Sequence, residues 1–363
     1  METLGQTPVQ SILFFVLYGV TGVVPLLAAL YLLLRPCNVF SAGIKPPVRL
    51  RRWTAAFFAF TALAHVWWLL FYIYSGDLQS AGYLVLAMLD FVLLFVTFAG
   101  MLLAMLQDRR RKVWPAMAAV IPFVLIAGAY MVFHNDWILQ IAAGYLLLLG
   151  LIFTGYMVVA IRQYGRWLND NYADLENKRV WLCQAVALGC MLLFVLYVLA
   201  TDIVLIWFIH IIELVIVGLL LWRVESLPQL ELPAQPQAQQ PTAAPVNIDI
   251  DHIEKLLKEY CVAQQIYLQQ DLTLEELAQA IGTNRSYLSQ YFSRQGYTYN
   301  TYINSLRVNH FISLYEQAVA AGQNVGAQQL AEESGFRSYS TFSRAFTQRT
   351  GQSVKAWMQG KGE

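Results

Sequence analysis

Two hydrophobic patterns meet near Trp222. Before it, apolar runs recur at about 10–34, 53–74, 82–106, 113–133, 137–161, 180–200 and 203–222, with short polar connections between them. As an α-helix, each run of roughly 20 residues is long enough to cross a hydrocarbon core about 30 Å thick. Beyond Asn247 the pattern becomes that of amphipathic soluble helices, beginning with Ile250, Ile253, Leu256, Leu257 and Tyr260 on one stripe. The expected fold class is therefore all-α: a seven-transmembrane helical bundle followed by a soluble helical domain. The expected boundaries are 1–225 for the membrane domain, 226–247 for a linker and 248–363 for the soluble domain.

Basic residues give the bundle a direction. Arg35, Lys45, Arg49, Arg51 and Arg52 follow the first run, Arg109, Arg110, Arg111 and Lys112 the third, and Arg162, Arg166, Lys178 and Arg179 the fifth. The alternate connections contain no Lys or Arg but do contain Asp77, Asp136 and Asp202. This asymmetry predicts an outward N-terminus and a cytoplasmic C-terminal domain. Trp53, Trp114, Trp137, Trp181 and Trp222, near run ends, fit an interfacial belt. Glu2 and the lack of an N-terminal basic cluster read the first run as a retained span and not a cleaved leader. The longest inward connection, 163–179, mixes aromatics with both charge signs; it reads as a solvated loop, with docking of the tail or of a twin subunit as the alternative.

Composition sharpens this division. Hydrophobic residues are 58% of the chain and charged residues 13%, far from the balance of a soluble protein. Residues 226–247 hold prolines and glutamines without an aromatic, too little to build a core. Cys37, Cys183, Cys190 and Cys261 show no metal-ligand spacing, so free thiols are expected.

In the soluble part, Thr273 and Glu276 form a capping box flanked by Leu272 and Leu277, and Gly282 suits a left-handed turn. A second helix starts near Asn284 with Leu288 and Phe292 inward, leaving Arg285, Ser286, Ser289, Gln290, Ser293 and Arg294 outward. The pattern repeats: Leu277, Ala278 and Gly282 are echoed by Leu330, Ala331 and Gly335, while Leu288 and Phe292 are echoed by Phe342 and Phe346. The second turn is one residue longer, and its helix offers Tyr339, Ser340, Ser343, Arg344, Thr347 and Gln348. A helix over about 299–317, with Tyr302, Ile303, Leu306, Phe311 and Leu314 as its apolar stripe, joins the two units. Helix, glycine turn and a polar-faced second helix suit a DNA major groove.

The segments LEELAQAIGTNRSYLSQYF, YINSLRVNHF and ESGFRSYSTFSRAFTQRTGQSVKAW resemble the AraC/XylS family of bacterial transcription regulators. The resemblance covers about 250–358. It implies two recognition helices in successive major grooves, with Arg285, Ser286, Ser289, Gln290, Arg294, Tyr339, Ser340, Ser343, Arg344 and Gln348 as DNA-contacting residues. Two positions depart from the family pattern: Phe311 replaces a small linking-helix residue, and Val354 replaces a proline. From 249 to 363 there are 10 basic and 11 acidic residues. Arg337, Arg344, Arg349 and Lys355 nevertheless lie in an acid-free stretch, so modest, salt-sensitive affinity is expected.

Four ionisable residues fall inside the apolar runs: His65, Asp90, His210 and Glu213. Such groups usually face a bundle interior, either as a functional pocket or as interhelical hydrogen-bond glue, and both readings stay open. Haem or metal ligation by the two histidines has no further ligand pattern behind it, so no metal and no cofactor is expected. The last run has no lysine for a retinal Schiff base. No nucleophile motif, phosphate loop or pair of broken helices marks an enzyme or transporter. The expected function is a membrane-embedded, non-enzymatic transcription regulator whose seven-span part senses a small-molecule or membrane signal. Its expected partners are double-stranded DNA, the lipid bilayer and a second copy of the chain. The alternatives are a passive anchor for a constitutive regulator, or a transporter or enzyme with a DNA-binding appendage.

Overall fold

A computed structural model describes residues 8–35, 47–74, 81–176, 178–199, 203–230, 250–323 and 325–361. Cys37, Lys45 and most of the expected linker lie outside these residues. The described residues are helical, without a strand and with one isolated bridge between Tyr172 and Thr273. The chain forms two compact units. One comprises residues 1–162 and 180–231, the other residues 163–179 and 232–363.

The first unit contains α1 (Pro8–Leu34), α2 (Val48–Tyr74), α3 (Ala81–Met105), α4 (Trp114–Ala119), α5 (Ile121–Phe133), most of α6 (Asp136–Asn171), α7 (Trp181–Leu199) and α8 (Ile203–Ser226). Among the described residues, six stretches are long and apolar enough to span a membrane: Ile12–Leu34, Val48–Tyr74, Gly82–Met105, Trp114–Phe133, Asp136–Asn171 and Trp207–Ser226. In α7 the stretch Trp181–Leu192 is apolar but shorter. The fourth expected run is broken between α4 and α5, where Pro122 opens the new helix without an N–H to donate. Apolar runs also understate helix length. α6 continues ten residues past 161, because Tyr164 and Leu168, each 1% exposed, extend a buried stripe through otherwise polar sequence.

Close packing in this unit depends on small and hydroxyl-bearing residues. Gly100 of α3 lets the Trp53 ring of α2 lie against its backbone, where a Cβ would collide with the indole. Trp53 is thus half-buried, whereas Trp114, Trp137, Trp181 and Trp222 are all more than half exposed. The hydroxyls of Thr54, Thr61 and Thr97 donate to the carbonyls of Leu50, Phe57 and Leu93, so these polar groups are satisfied within their own helices. Arg51, expected in a loop, lies in α2 because that helix starts at Val48. Its guanidinium sits 2.7 Å from the Glu225 carboxylate of α8, with both side chains buried, and Tyr31 of α1 donates to Glu225 at 3.1 Å.

The second unit contains α9 (Ile250–Leu256), which loosens into a π-helical turn at Leu257–Val262, and a 3-10 turn at Ile266–Leu268. There follow α10 (Leu274–Ala280), α11 (Arg285–Arg294), α12 (Tyr299–Ala320), α13 (Ala327–Glu333), α14 (Tyr339–Thr350) and α15 (Val354–Lys361). Two apolar clusters divide it. Leu257, Leu277, Leu288, Phe292 and Ile303 belong to the first; Phe311, Leu330, Phe336, Phe342 and Phe346 belong to the second. The two departures from the family pattern are filled by packing: the Phe311 ring lies 4.4 Å from that of Phe342, and Val354 is buried.

Candidate nucleic-acid interface

Both helix-turn-helix units are built by local chemistry. Thr273 Oγ1 accepts from the Glu276 N–H at 3.2 Å, while Glu276 accepts from the Thr273 N–H at 2.8 Å, completing the expected capping box. Asn284 caps α11 by accepting from the Tyr287 N–H at 2.9 Å, and Ser338 caps α14 through the Thr341 N–H at 3.4 Å. Residues 281–284 form the first turn and 334–338 the second, which is the expected difference of one residue. Gly335 is obligatory in the longer turn. Its φ is +86°, and a Cβ there would lie 2.6 Å from the Leu268 carbonyl oxygen.

These turns set the faces of α11 and α14. Leu288, Phe292, Phe342 and Phe346 are buried, so the opposite side of each helix is left to solvent. Ser286, Gln290 and Arg294 of α11 are exposed, as are Tyr339, Ser340, Arg344 and Gln348 of α14; Ser289 and Ser343 are half-buried. Arg337, Arg344, Arg349 and Lys355 are exposed, although Arg337 pairs with Asp271 at 3.3 Å.

Arg285 differs from the others. Its Nε donates to Asn171 Oδ1 at 3.0 Å, its Nη2 donates to the same oxygen, and the residue is half-buried. The 163–179 segment, expected to be solvated, packs into this unit. Ala173 is fully buried in the first apolar cluster, and its N–H donates to the Leu272 carbonyl at 3.3 Å. Asn300 donates to the carbonyls of Tyr172 (3.1 Å) and Ala173 (2.6 Å), and Lys178 lies 3.8 Å from Asp271. A small residue flanked by carbonyls is what the site accepts, and no periodicity announces such a plug in a loop.

Arg307 of α12 was also invisible to pattern reading. It is 1% exposed, donates to the carbonyls of Tyr267 (2.7 Å), Gln269 (2.5 Å) and Gln270 (3.3 Å), and stacks over the Phe336 ring at 5.7 Å. One guanidinium thus joins the first apolar cluster to the second. Burial lowers its pKa to about 10, which still leaves it charged at neutral pH.

In the membrane-helix unit, three of the four ionisable residues converge. His65 Nε2 lies 3.6 Å, and His210 Nδ1 3.7 Å, from the Glu213 carboxylate. Tyr18 packs against both imidazoles, with ring separations of 4.9 Å and 5.5 Å. Asp90 instead accepts from the Trp68 indole at 3.0 Å and stands outside that group.

Residues 277–360 match the helix-turn-helix domain family, of the AraC type. Neither a curated protein nor a solved structure gives a match. With its repeated units, glycine turns and polar second helices, the C-terminal part of this chain is an AraC-type helix-turn-helix domain of a sequence-specific DNA-binding regulator, joined to an N-terminal part built from membrane-length apolar helices.

Proposed function

We infer that the chain is a one-component regulator of transcription, held in the bacterial inner membrane by seven spans, with its DNA-binding domain in the cytoplasm. The 13 basic residues gathered at alternate junctions of the apolar runs support this orientation. In this reading α11 and α14 present Arg285, Ser286, Ser289, Gln290, Arg294, Tyr339, Ser340, Ser343, Arg344 and Gln348 to successive major grooves. Two copies paired in the membrane would raise the effective concentration of a domain with few phosphate-neutralising charges.

One observation favours membrane control over a passive anchor: Arg285, first residue of a reading helix, is held by Asn171, last residue of a membrane-length helix. With Nε–H and an Nη2–H given to Asn171, Arg285 cannot offer that same edge of its guanidinium to a phosphate or a guanine. The docked loop is therefore the low-affinity arrangement, and a signal that shifts α6 or α7 changes how many domains are released. The test is promoter binding by the full-length protein in nanodiscs across a salt series. Arg285→Ala and Arg344→Ala should each weaken binding and flatten its salt dependence by roughly 0.9 in log–log slope where a phosphate contact is lost. No shift of any upstream DNA at low salt, from a folded protein, would refute the function.

A further inference from the structure

The convergence of His65, His210 and Glu213 has a chemistry of its own. We propose that these three side chains bind a borderline divalent transition-metal ion of the zinc class, and that this ion is the signal. The binding site stands on geometry; the signalling role rests on the membrane-control reading above.

Ligand identity and spacing both fit. Two imidazole nitrogens and one carboxylate oxygen form a donor set that suits zinc, leaving a fourth position open. Tetrahedral bonds of about 2.0–2.1 Å place neighbouring donor atoms roughly 3.3–3.4 Å apart. The two histidine–glutamate separations are 3.6 Å and 3.7 Å, and the three donor atoms all lie within 4.8 Å of one another. Binding would require side-chain rotations that draw the three donors together.

The tautomer is also prepared. His65 Nδ1 lies 2.9 Å from the Thr61 carbonyl oxygen, which can only accept, so Nδ1 carries the proton. In the neutral ring that leaves Nε2 with a lone pair, 3.6 Å from the Glu213 carboxylate, the arrangement expected of a metal-binding histidine oriented by a backbone carbonyl. Among the described residues, none gives buried His65 Nε2 or Glu213 Oε1 a hydrogen bond. Such orphaned atoms are costly in a low-dielectric interior unless something binds them. His210 Nδ1 lies 3.2 Å from Thr21 Oγ1, but that hydroxyl also reaches the Leu17 and Tyr18 carbonyls at 3.1 Å and 2.9 Å. Coordination at His210 therefore costs Thr21 only one of its contacts. An ion here would join α2 and α8, because His65 lies on α2 and His210 and Glu213 on α8; Tyr18 of α1 packs on both histidine rings.

The experiment uses the full-length protein in nanodiscs, stripped with a chelator and titrated with Co²⁺ and then Zn²⁺. Cobalt should develop the visible absorption of a four-coordinate N/O site at one ion per chain, and zinc should displace it. His65→Gln and Glu213→Gln should each weaken binding by at least about 100-fold, the scale set by loss of a ligand or its support. Asp90→Asn, outside the group, should stay within about threefold of wild type. Absence of a saturable cobalt signal in wild type, or equal binding by the Glu213→Gln protein, would overturn the site. Saturable binding that leaves promoter affinity unchanged would keep the site and overturn the ion as signal. No metal binding alongside a responsive loop would overturn the site and leave membrane control standing.

Discussion

Replacing Asn171 with alanine should tighten DNA binding. Asn171 Oδ1 accepts from Arg285 Nε and Nη2, and its Nδ2 donates to the Trp167 carbonyl at 2.6 Å, so the amide is held with its oxygen toward the guanidinium. Hydrogen bonds to a charged group contribute about 1.5–3 kcal/mol each. Arg285 is only half-buried, so water compensates part of that, and about 1–2 kcal/mol is a fair figure for the pair. Losing this contact from the DNA-free state should strengthen promoter binding by about 5–30-fold. Ala173 and its carbonyl contacts remain, so the loop stays docked while Arg285 is freed. Fluorescence anisotropy at fixed salt, with full-length protein in nanodiscs, reads the change. In a double-mutant cycle, adding Arg285→Ala should abolish the gain, because both substitutions act through one contact. If Asn171→Ala binds no tighter than wild type while Arg285→Ala weakens binding, the contact does not compete with DNA and the reasoning fails.

Three further outcomes follow from burial and charge. Arg307→Lys removes the planar fork that reaches three carbonyls and the Phe336 ring, and should cost about 3 kcal/mol. The C-terminal unit should then melt on the order of 10 °C lower, as read by scanning fluorimetry. Glu225→Gln removes the carboxylate that pairs with the buried Arg51 and should destabilise the helical bundle by about 3–5 kcal/mol, seen as reduced yield and earlier thermal aggregation; removing both charges with Arg51→Leu and Glu225→Leu should recover most of this. Burial pushes the Cys261 thiol up to about 12, from an ordinary value near 9. The folded state thus retains a proton that the unfolded state loses, so this contribution to stability is complete below about pH 9 and disappears as pH rises toward 12. Cys261 should resist iodoacetamide in the native protein at pH 8 and react after denaturation; equal labelling in both states would contradict its burial.

Elements written in side-chain periodicity were legible in the sequence. The caps at Thr273 and Asn284, the turns at Gly282 and Gly335 and the buried faces of α11 and α14 each depend on residues within one or two helical turns. Helix ends were less legible where apolar character and helicity part company. α6 runs on through Arg162–Asn171 because a stripe of buried residues is enough to hold a helix, and α2 begins before Trp53 for the same reason. Long-range pairings left no local trace. Arg51 with Glu225, Arg307 with the 267–270 carbonyls, and Ala173 beneath Asn300 each join segments between 37 and 174 positions apart. The intramembrane cluster lies between these cases. His210 and Glu213 share a helix face by spacing alone, but only the packing of α2 against α8 brings His65 to Glu213. The same packing leaves Asp90 with Trp68.

Footprinting of the intact protein on the chromosome bears most directly on a DNA reader held at the membrane. Protected sites should appear as paired tracts on one face of the duplex, about one helical turn apart, and should vanish in the Arg285→Ala, Arg344→Ala double variant while the protein remains in the membrane fraction. Protection that persists in that variant, or none at all with abundant wild-type protein in the membrane, would contradict it.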